Sequence, residues 1–295
     1  MIEVRGIIPP VATPLTADEE IDLPRFRWFI DHLISEGVHG VFPMGTNSEF
    51  YAFDEREKQE LTATAVAHVN RRVPVYIGTG AETTREVIRL TKMAEREGAD
   101  GVSIITPYFI APNQKEIFDH YRRIAESTSL GVILYSNPST CGGLKIDVDT
   151  AARLAEIPNI IGIKDSSGDL QNVNELIRVV PSRFAVMQGR DTLIYPALIF
   201  GAKGAVAATG NIAPGLVVEI YEAFQRGDHA AAKAAQLRLN PLRMALALGT
   251  IPGGVKAALH LIGRSLGPSR SPVGPLSPEN EQKMKNVLRQ CGLLG

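Results

Sequence analysis

The sequence predicts an α/β fold, a (β/α)8 TIM barrel with a C-terminal helical appendage, and three observations predict it. Short apolar runs recur at about thirty-residue spacing, each followed by a stretch of helical period. The runs are rich in Val and Ile with little apolar/polar alternation, as parallel strands covered on both faces require. Eight such units in series favour a closed barrel over a doubly wound sheet, because closure removes edge strands and needs no topological switch point.

Taken in order, the expected strands are Gly6–Ala12, Gly40–Met44, Val73–Gly78, Gly101–Thr106, Gly131–Ser136, Ile160–Lys164, Phe184–Gln188 and Gly204–Ala208. Between the first two, Asp22 caps a helix over Arg25–Ser35, and Gly37 stops it. Asp54 with Glu57, and Asn113 with Glu116, each set an acid three residues after an N-cap, where its carboxylate reaches back to free backbone donors. After the eighth run, Leu216–Gln225 supplies the last barrel helix and the strands cease. His229–Leu248, interrupted at Pro241, is expected to be helical, as are Val255–Ile262 and Glu279–Gln290, the last two joined by the Pro/Gly/Ser-rich Gly267–Pro278. The division is a barrel over residues 1–226 and a helical extension over 227–295 packed on it.

Composition bounds the function. The 295 residues are 44% hydrophobic and 21% charged, the profile of a soluble globular protein. With 31 Lys and Arg against 32 Asp and Glu, and no basic run, nucleic acid is excluded as a partner. No apolar stretch approaches the roughly 18 residues that span a bilayer, and Met1–Pro10 has no basic region before an apolar one, so no membrane partner is expected and the location is cytoplasmic. Cys141 and Cys291 are too few to staple a fold or hold a metal. The six histidines form no paired ligand motif, so neither a metal nor another cofactor is expected. Neither a phosphate-binding Gly-Lys-Ser/Thr loop nor a nucleophile elbow occurs.

Reactive groups in barrels sit at the C-terminal ends of strands. Lys164 ends the sixth run after almost wholly apolar residues, where desolvation favours the neutral amine that carbonyl attack requires. Tyr135 ends the neighbouring fifth run, where a phenol can pass a proton to a carbinolamine or a substrate hydroxyl. Gly45-Thr46-Asn47-Ser48-Glu49 follows the second run, and its backbone amides with the Thr and Asn side chains can converge on a carboxylate. On position alone, each also reads as ordinary structure: a solvent-facing strand end, a core-capping tyrosine and a common turn.

Taken together, the residues resemble the dihydrodipicolinate synthase/N-acetylneuraminate lyase family over essentially the whole chain. The landmarks are Thr13-Pro14-Leu15, Gly45–Glu49, Gly78-Thr79-Gly80, Thr106-Pro107-Tyr108, Tyr135-Ser136-Asn137-Pro138, Gly162–Ser166 and Gln188-Gly189-Arg190-Asp191. The resemblance implies a pyruvate-type Schiff base on Lys164 and a proton relay through Tyr135 and Thr46. It implies substrate contacts at Gly45, Asn47, Ser166, Gly189 and Val206. It further implies a homotetramer, a dimer of dimers, in which a neighbour's aromatic residue joins the relay; that place reads Tyr108-Phe109, and Phe109 there would bring no hydroxyl.

Departures from the family pattern bear on the substrate. Members that make dihydrodipicolinate carry an arginine shortly after the tyrosine, whereas Thr140 stands there and cannot supply a bidentate charge pair. With Asn47, the run Lys164-Asp165-Ser166-Ser167-Gly168-Asp169 and the Gly267–Pro272 stretch, this resembles the 4-hydroxy-2-oxoglutarate aldolase branch. The leading expectation is therefore a class I lyase that splits a 4-hydroxy-2-oxo acid into pyruvate and an aldehyde. The alternatives are a dehydratase of a sugar-derived 2-keto-3-deoxy acid, 4-hydroxy-tetrahydrodipicolinate synthase from pyruvate and aspartate semialdehyde, and, last, a barrel that only binds a 2-oxo acid. Arg190 and Lys145 at the barrel mouth would favour a second acidic group on the substrate, but the preferred reading places both on the solvated surface.

Overall fold

The computed structural model describes residues 2–295. Its strands are β1 (Gly6–Ile7), β2 (Tyr76–Gly78), β3 (Gly101–Ile105), β4 (Gly131–Ser136), β5 (Ile160–Asp165), β6 (Ala185–Gln188) and β7 (Gly204–Ala205). They form a seven-stranded sheet in the order β1-β7-β6-β5-β4-β3-β2, every pair parallel, curled in the manner of a TIM barrel. The barrel helices are α1 (Leu23–Ser35), α2 (Glu55–Val69), α3 (Thr84–Arg96), α4 (Gln114–Ala125), α5 (Val148–Leu154), α6 (Leu170–Val179), α7 (Ile194–Phe200) and α8 (Pro214–Gln225). The predicted caps hold: Asp22 accepts from the Arg25 amide at 2.9 Å, and Asp54–Glu57 and Asn113–Glu116 are both reciprocal.

The run expected as a strand over Gly40–Met44 contains only an isolated parallel bridge, Val41 to Val75. Proline is the reason. Pro9 and Pro10 on one side, Pro43 within the run and Pro74 on the other side lack the N–H groups that a regular ladder uses. Backbone bonds survive on both flanks. His39 N and Phe42 N donate to Ile7 O (2.8 Å) and Pro9 O (3.0 Å), and Val41 N and Tyr76 N exchange bonds with Pro74 O (3.0 Å) and Val41 O (2.9 Å).

Two apolar clusters sit on opposite faces of the sheet. Val132, Leu134, Ile160 and Ile163 pack against the helices, whereas Phe42, Ile133, Ile161, Met187 and Val206 fill the concave side. Ile160 and Ile163 share a face although three residues apart, which the strict alternation of a strand forbids. A register shift between β4 and β5 resolves this: Val132 pairs with Ile160 but Ile133 with Gly162. The inserted residue reverses the parity of β5, and Lys164 emerges opposite Tyr135.

The C-terminal helices are α9 (His229–Ala245), α10 (Gly253–Leu261) and α11 (Pro278–Gln290). The helix is not interrupted at Pro241, as the sequence suggested, but runs through it to Ala245, with a 3-10 turn over Leu246–Leu248. The carbonyl that loses its donor belongs to Leu237, an exposed residue where water can take the bond. Ala232, Ala235, Leu239 and Leu242 bury the inner face of α9 along α8, and Met284 and Leu288 of α11 lie beneath it. Among the described residues no single helix is long and apolar enough to cross a membrane.

Candidate active site

Lys164 and Tyr135 end neighbouring parallel strands in register, and each is only 4% exposed. The Lys164 Nζ lies 3.8 Å from the centre of the Tyr135 ring and 5.2 Å from that of Phe42. Among the described residues no carboxylate pairs with it. Its neighbour Asp165 faces away, accepting from the Ser167 amide at 3.0 Å and from Asn172 Nδ2 at 2.9 Å. Burial holds the Asp165 carboxyl above its ordinary value against those bonds.

The Tyr135 hydroxyl has two side-chain neighbours besides Lys164. Asn137 Nδ2 donates to it at 3.0 Å, and Thr46 Oγ1 stands 3.4 Å away. Burial by itself pushes the phenol up, but the Lys164 charge and the hydrogen bonds of Thr46, Lys164 and Asn137 override it, and the phenol sits below its ordinary value. A phenol so poised exchanges protons more readily than a free tyrosine.

Thr46 opens a 3-10 turn over Thr46–Ser48 that β1 and its extension hold in place. The Gly45 amide donates to Ser48 Oγ at 3.1 Å, Ser48 Oγ donates to the Val11 carbonyl, and Thr13 Oγ1 donates to the Ser48 carbonyl at 2.8 Å. The amides of Thr46 and Asn47 donate to no protein acceptor among the described residues, as the first groups of a turn do. Two free donors beside a threonine and an asparagine suit a carboxylate.

Ser166 and Gly189 complete the wall. The Ser166 amide donates to the Ser136 carbonyl at 2.8 Å, and the Gly189 amide to the Asp165 carbonyl at 2.7 Å. A Cβ on Gly189 would stand 2.0 Å from Ser166 Oγ and 2.7 Å from the Asp165 carbonyl, so only glycine fits.

Thr46, Asn47, Tyr135, Lys164, Ser166, Gly189 and Val206 all line one cavity of about 210 Å³. Gly45 lies in a small recess beside it, behind Thr46 and Tyr135. The sequence missed Asn137, Ser139, Asp191 and Arg243, which line the same cavity. Asn137 was within reach, since it stands two residues beyond Tyr135 in a motif already singled out. Arg243 comes from α9, where no local signal points to a site. Arg190, placed on the surface by the sequence reading, instead lines the cavity, its Nε donating to the Ser166 carbonyl at 2.9 Å. Lys145 is exposed as expected.

Thr140 is exposed and donates to the Asn137 carbonyl at 3.3 Å, and its neighbour Ser139, not Thr140, reaches the cavity. In the loop after β3, Tyr108 packs edge-on against Phe50, ring centres 6.0 Å apart. Burial, then the charge and hydrogen bond of Glu82, hold the Tyr108 hydroxyl well above its ordinary value. Phe109 is the projecting aromatic, 95% exposed with φ 73°, a strained conformation for a bulky residue.

Residues 3–291 match the model of the dihydrodipicolinate synthetase family. A protein from Thermodesulfovibrio yellowstonii named 4-hydroxy-tetrahydrodipicolinate synthase is 37% identical over 290 residues, covering 98% of this chain and 99% of its own. The crystal structure of dihydrodipicolinate synthase from Thermotoga maritima superposes with a TM-score of 0.96 at 31% identity, covering 99% of this chain and 100% of that one. A prophage protein of the dihydrodipicolinic acid synthase family from E. coli K12, solved in complex with pyruvate, superposes with a TM-score of 0.93 at 34% identity, covering 98% and 99% of the two chains.

Proposed function

The chain belongs to the dihydrodipicolinate synthetase family and is a class I carbon–carbon lyase, and from that premise we propose that Lys164 forms a Schiff base with pyruvate and joins it to an aldehyde. The observation that carries this reading is the register that sets a buried, carboxylate-free Lys164 against Tyr135 inside the cavity. Pyruvate bound in the prophage relative supports the choice of 2-oxo acid.

The neutral amine attacks the C2 carbonyl of pyruvate, and loss of water from the carbinolamine leaves an iminium. The iminium draws the electron pair released when a C3 proton leaves, so an enamine forms rather than a carbanion. The enamine carbon then adds to the aldehyde carbonyl, and the reverse of this step cleaves an aldol. Tyr135 moves the proton to and from the carbinolamine and the aldehyde oxygen, with Thr46 as its outlet. The free amides of Thr46 and Asn47 hold the carboxylate, and Ser166 contacts a substrate oxygen.

The relatives' names shift the order of the readings. Condensation with aspartate semialdehyde, placed behind aldol cleavage by the sequence, is the better supported, because the synthase name recurs in relatives covering nearly the whole chain. Cleavage of a 4-hydroxy-2-oxo acid is the second reading, favoured by a neutral Thr140 lying outside the cavity. Assays of both substrates decide. The first reading expects pyruvate to be consumed in step with aspartate semialdehyde; release of pyruvate and aldehyde in equal amounts from 4-hydroxy-2-oxoglutarate, without that condensation, would establish the second. Loss of water from a sugar-derived acid without aldehyde would instead mark a dehydratase.

The same proposal takes the sheet as a closed eight-stranded barrel over residues 1–226, supported by the bonds that residues 39–42 make on both flanks, with 227–295 as an extension packed on it. It takes the assembly as a cytoplasmic homotetramer, supported by the projecting Phe109.

A further inference from the structure

The pyruvate end of the cavity accounts for one anion, yet its walls carry an excess of positive charge. Besides Lys164, Arg190 and Arg243 line it against a single acid, Asp191. Asp191 is 1% exposed, and its Oδ2 is taken by the Thr209 amide at 2.7 Å and Thr209 Oγ1 at 2.6 Å. Its Oδ1 accepts no hydrogen bond and faces Arg243 Nε at 3.8 Å. Asp191 therefore holds Arg243 by its Nε edge. Arg190 is likewise held by its Nε, on the Ser166 carbonyl. Neither arginine gives its terminal Nη groups to a protein acceptor among the described residues.

Half-buried forks of this kind match the two oxygens of a carboxylate, which a lone ammonium does not. Both arginines also line a second pocket of about 230 Å³ with Thr192, Met244 and Ala247, so they stand where the inner cavity meets an outer one. Because Lys164 lines the same inner cavity, the arginines face the side from which an aldehyde would extend away from it.

We propose that Arg243, seconded by Arg190, is the subsite for a carboxylate on the aldehyde partner, supplied from α9 instead of from the position of Thr140. Arg243 thus determines specificity, selecting acid-bearing aldehydes over neutral ones. This rests on the Schiff-base reading, and the test separates the two.

Succinic semialdehyde and butanal match in chain length and differ by the carboxylate. With pyruvate as co-substrate, kcat/KM for each is measured in the wild type, Arg243→Met, Arg243→Lys and Arg190→Met, and borohydride trapping of pyruvate is run on all four. In Arg243→Met the preference for succinic semialdehyde over butanal should fall about 10- to 100-fold, the weight of a hydrogen-bonded charge pair, while the pyruvate adduct still forms. Arg243→Lys should restore part of the preference, and Arg190→Met should lose less. An unchanged preference in Arg243→Met with the adduct intact would overturn the subsite and leave the Schiff-base reading standing. No adduct on the wild type would overturn that reading, and the subsite with it.

Discussion

Two lysines of this chain are buried almost equally, Lys164 at 4% and Lys256 at 3%, and their surroundings differ. Lys256, on α10, holds the fully buried Glu49 at 2.6 Å and donates to the Pro268 carbonyl at 2.6 Å. Lys164 has aromatic faces and a cavity instead of an acid. Burial pulls Lys256 below the ordinary lysine value, with the Glu49 charge and hydrogen bond opposing it. A buried ammonium that is paired and bonded has no lone pair to offer and serves as a clamp, here tying the end of the carboxylate turn to α10. A buried amine without an acid is free to become a nucleophile. Burial alone therefore does not distinguish the two lysines; the acid beside Lys256 does.

Lys164→Ala should lose all measurable turnover while its thermal unfolding stays within a few degrees of the wild type. Full activity in that variant would remove the distinction between the two lysines. Next comes Tyr135→Phe, expected to slow turnover by about 10²- to 10⁴-fold with the borohydride adduct still forming, since the relay and not the amine is lost.

Lys256→Met should act on stability instead. Leaving Glu49 buried without its counter-ion, with only the Arg270 amide still bonded to it, costs roughly 3–5 kcal/mol in denaturant unfolding, whereas Glu49→Gln combined with Lys256→Met should recover much of that loss. Equal losses in the single and double variants would show that the pair is not the cause. The smallest effect concerns the neighbouring Arg270, whose amide donates to Glu49 at 2.7 Å and whose guanidinium grips Glu57. The Arg270 hydrogen bonds hold the Glu57 carboxyl below its ordinary value against burial. Its contribution to stability is then full above the unfolded value of about 4.3 and is lost as pH falls through the lower folded one. A melting profile of Glu57→Gln should lie below the wild type near neutrality and converge on it in acid.

The two lysines also mark how far the sequence could be read. Lys164 was legible because its strand ends in a polar run after Ile160–Ile163, and Tyr135 and the Thr46 turn were legible for the same reason. The direction Lys164 faces was not, since it depends on a register shift at Ile161 that pairs residues of two strands. Lys256 was passed over because Glu49 lies far away in sequence and nothing local joins them. Arg243 escaped for the same reason. The strand expected at Gly40–Met44 failed on a term that was visible, the prolines at 9, 10, 43 and 74, whose missing donors are felt only when the segments lie side by side.

The most direct test of the central claim is borohydride reduction of the wild type with pyruvate, followed by peptide mapping of the adduct. A single pyruvyl adduct is expected on Lys164 and none on Lys256. An adduct on Lys256, or one that persists in Lys164→Ala, would contradict the claim.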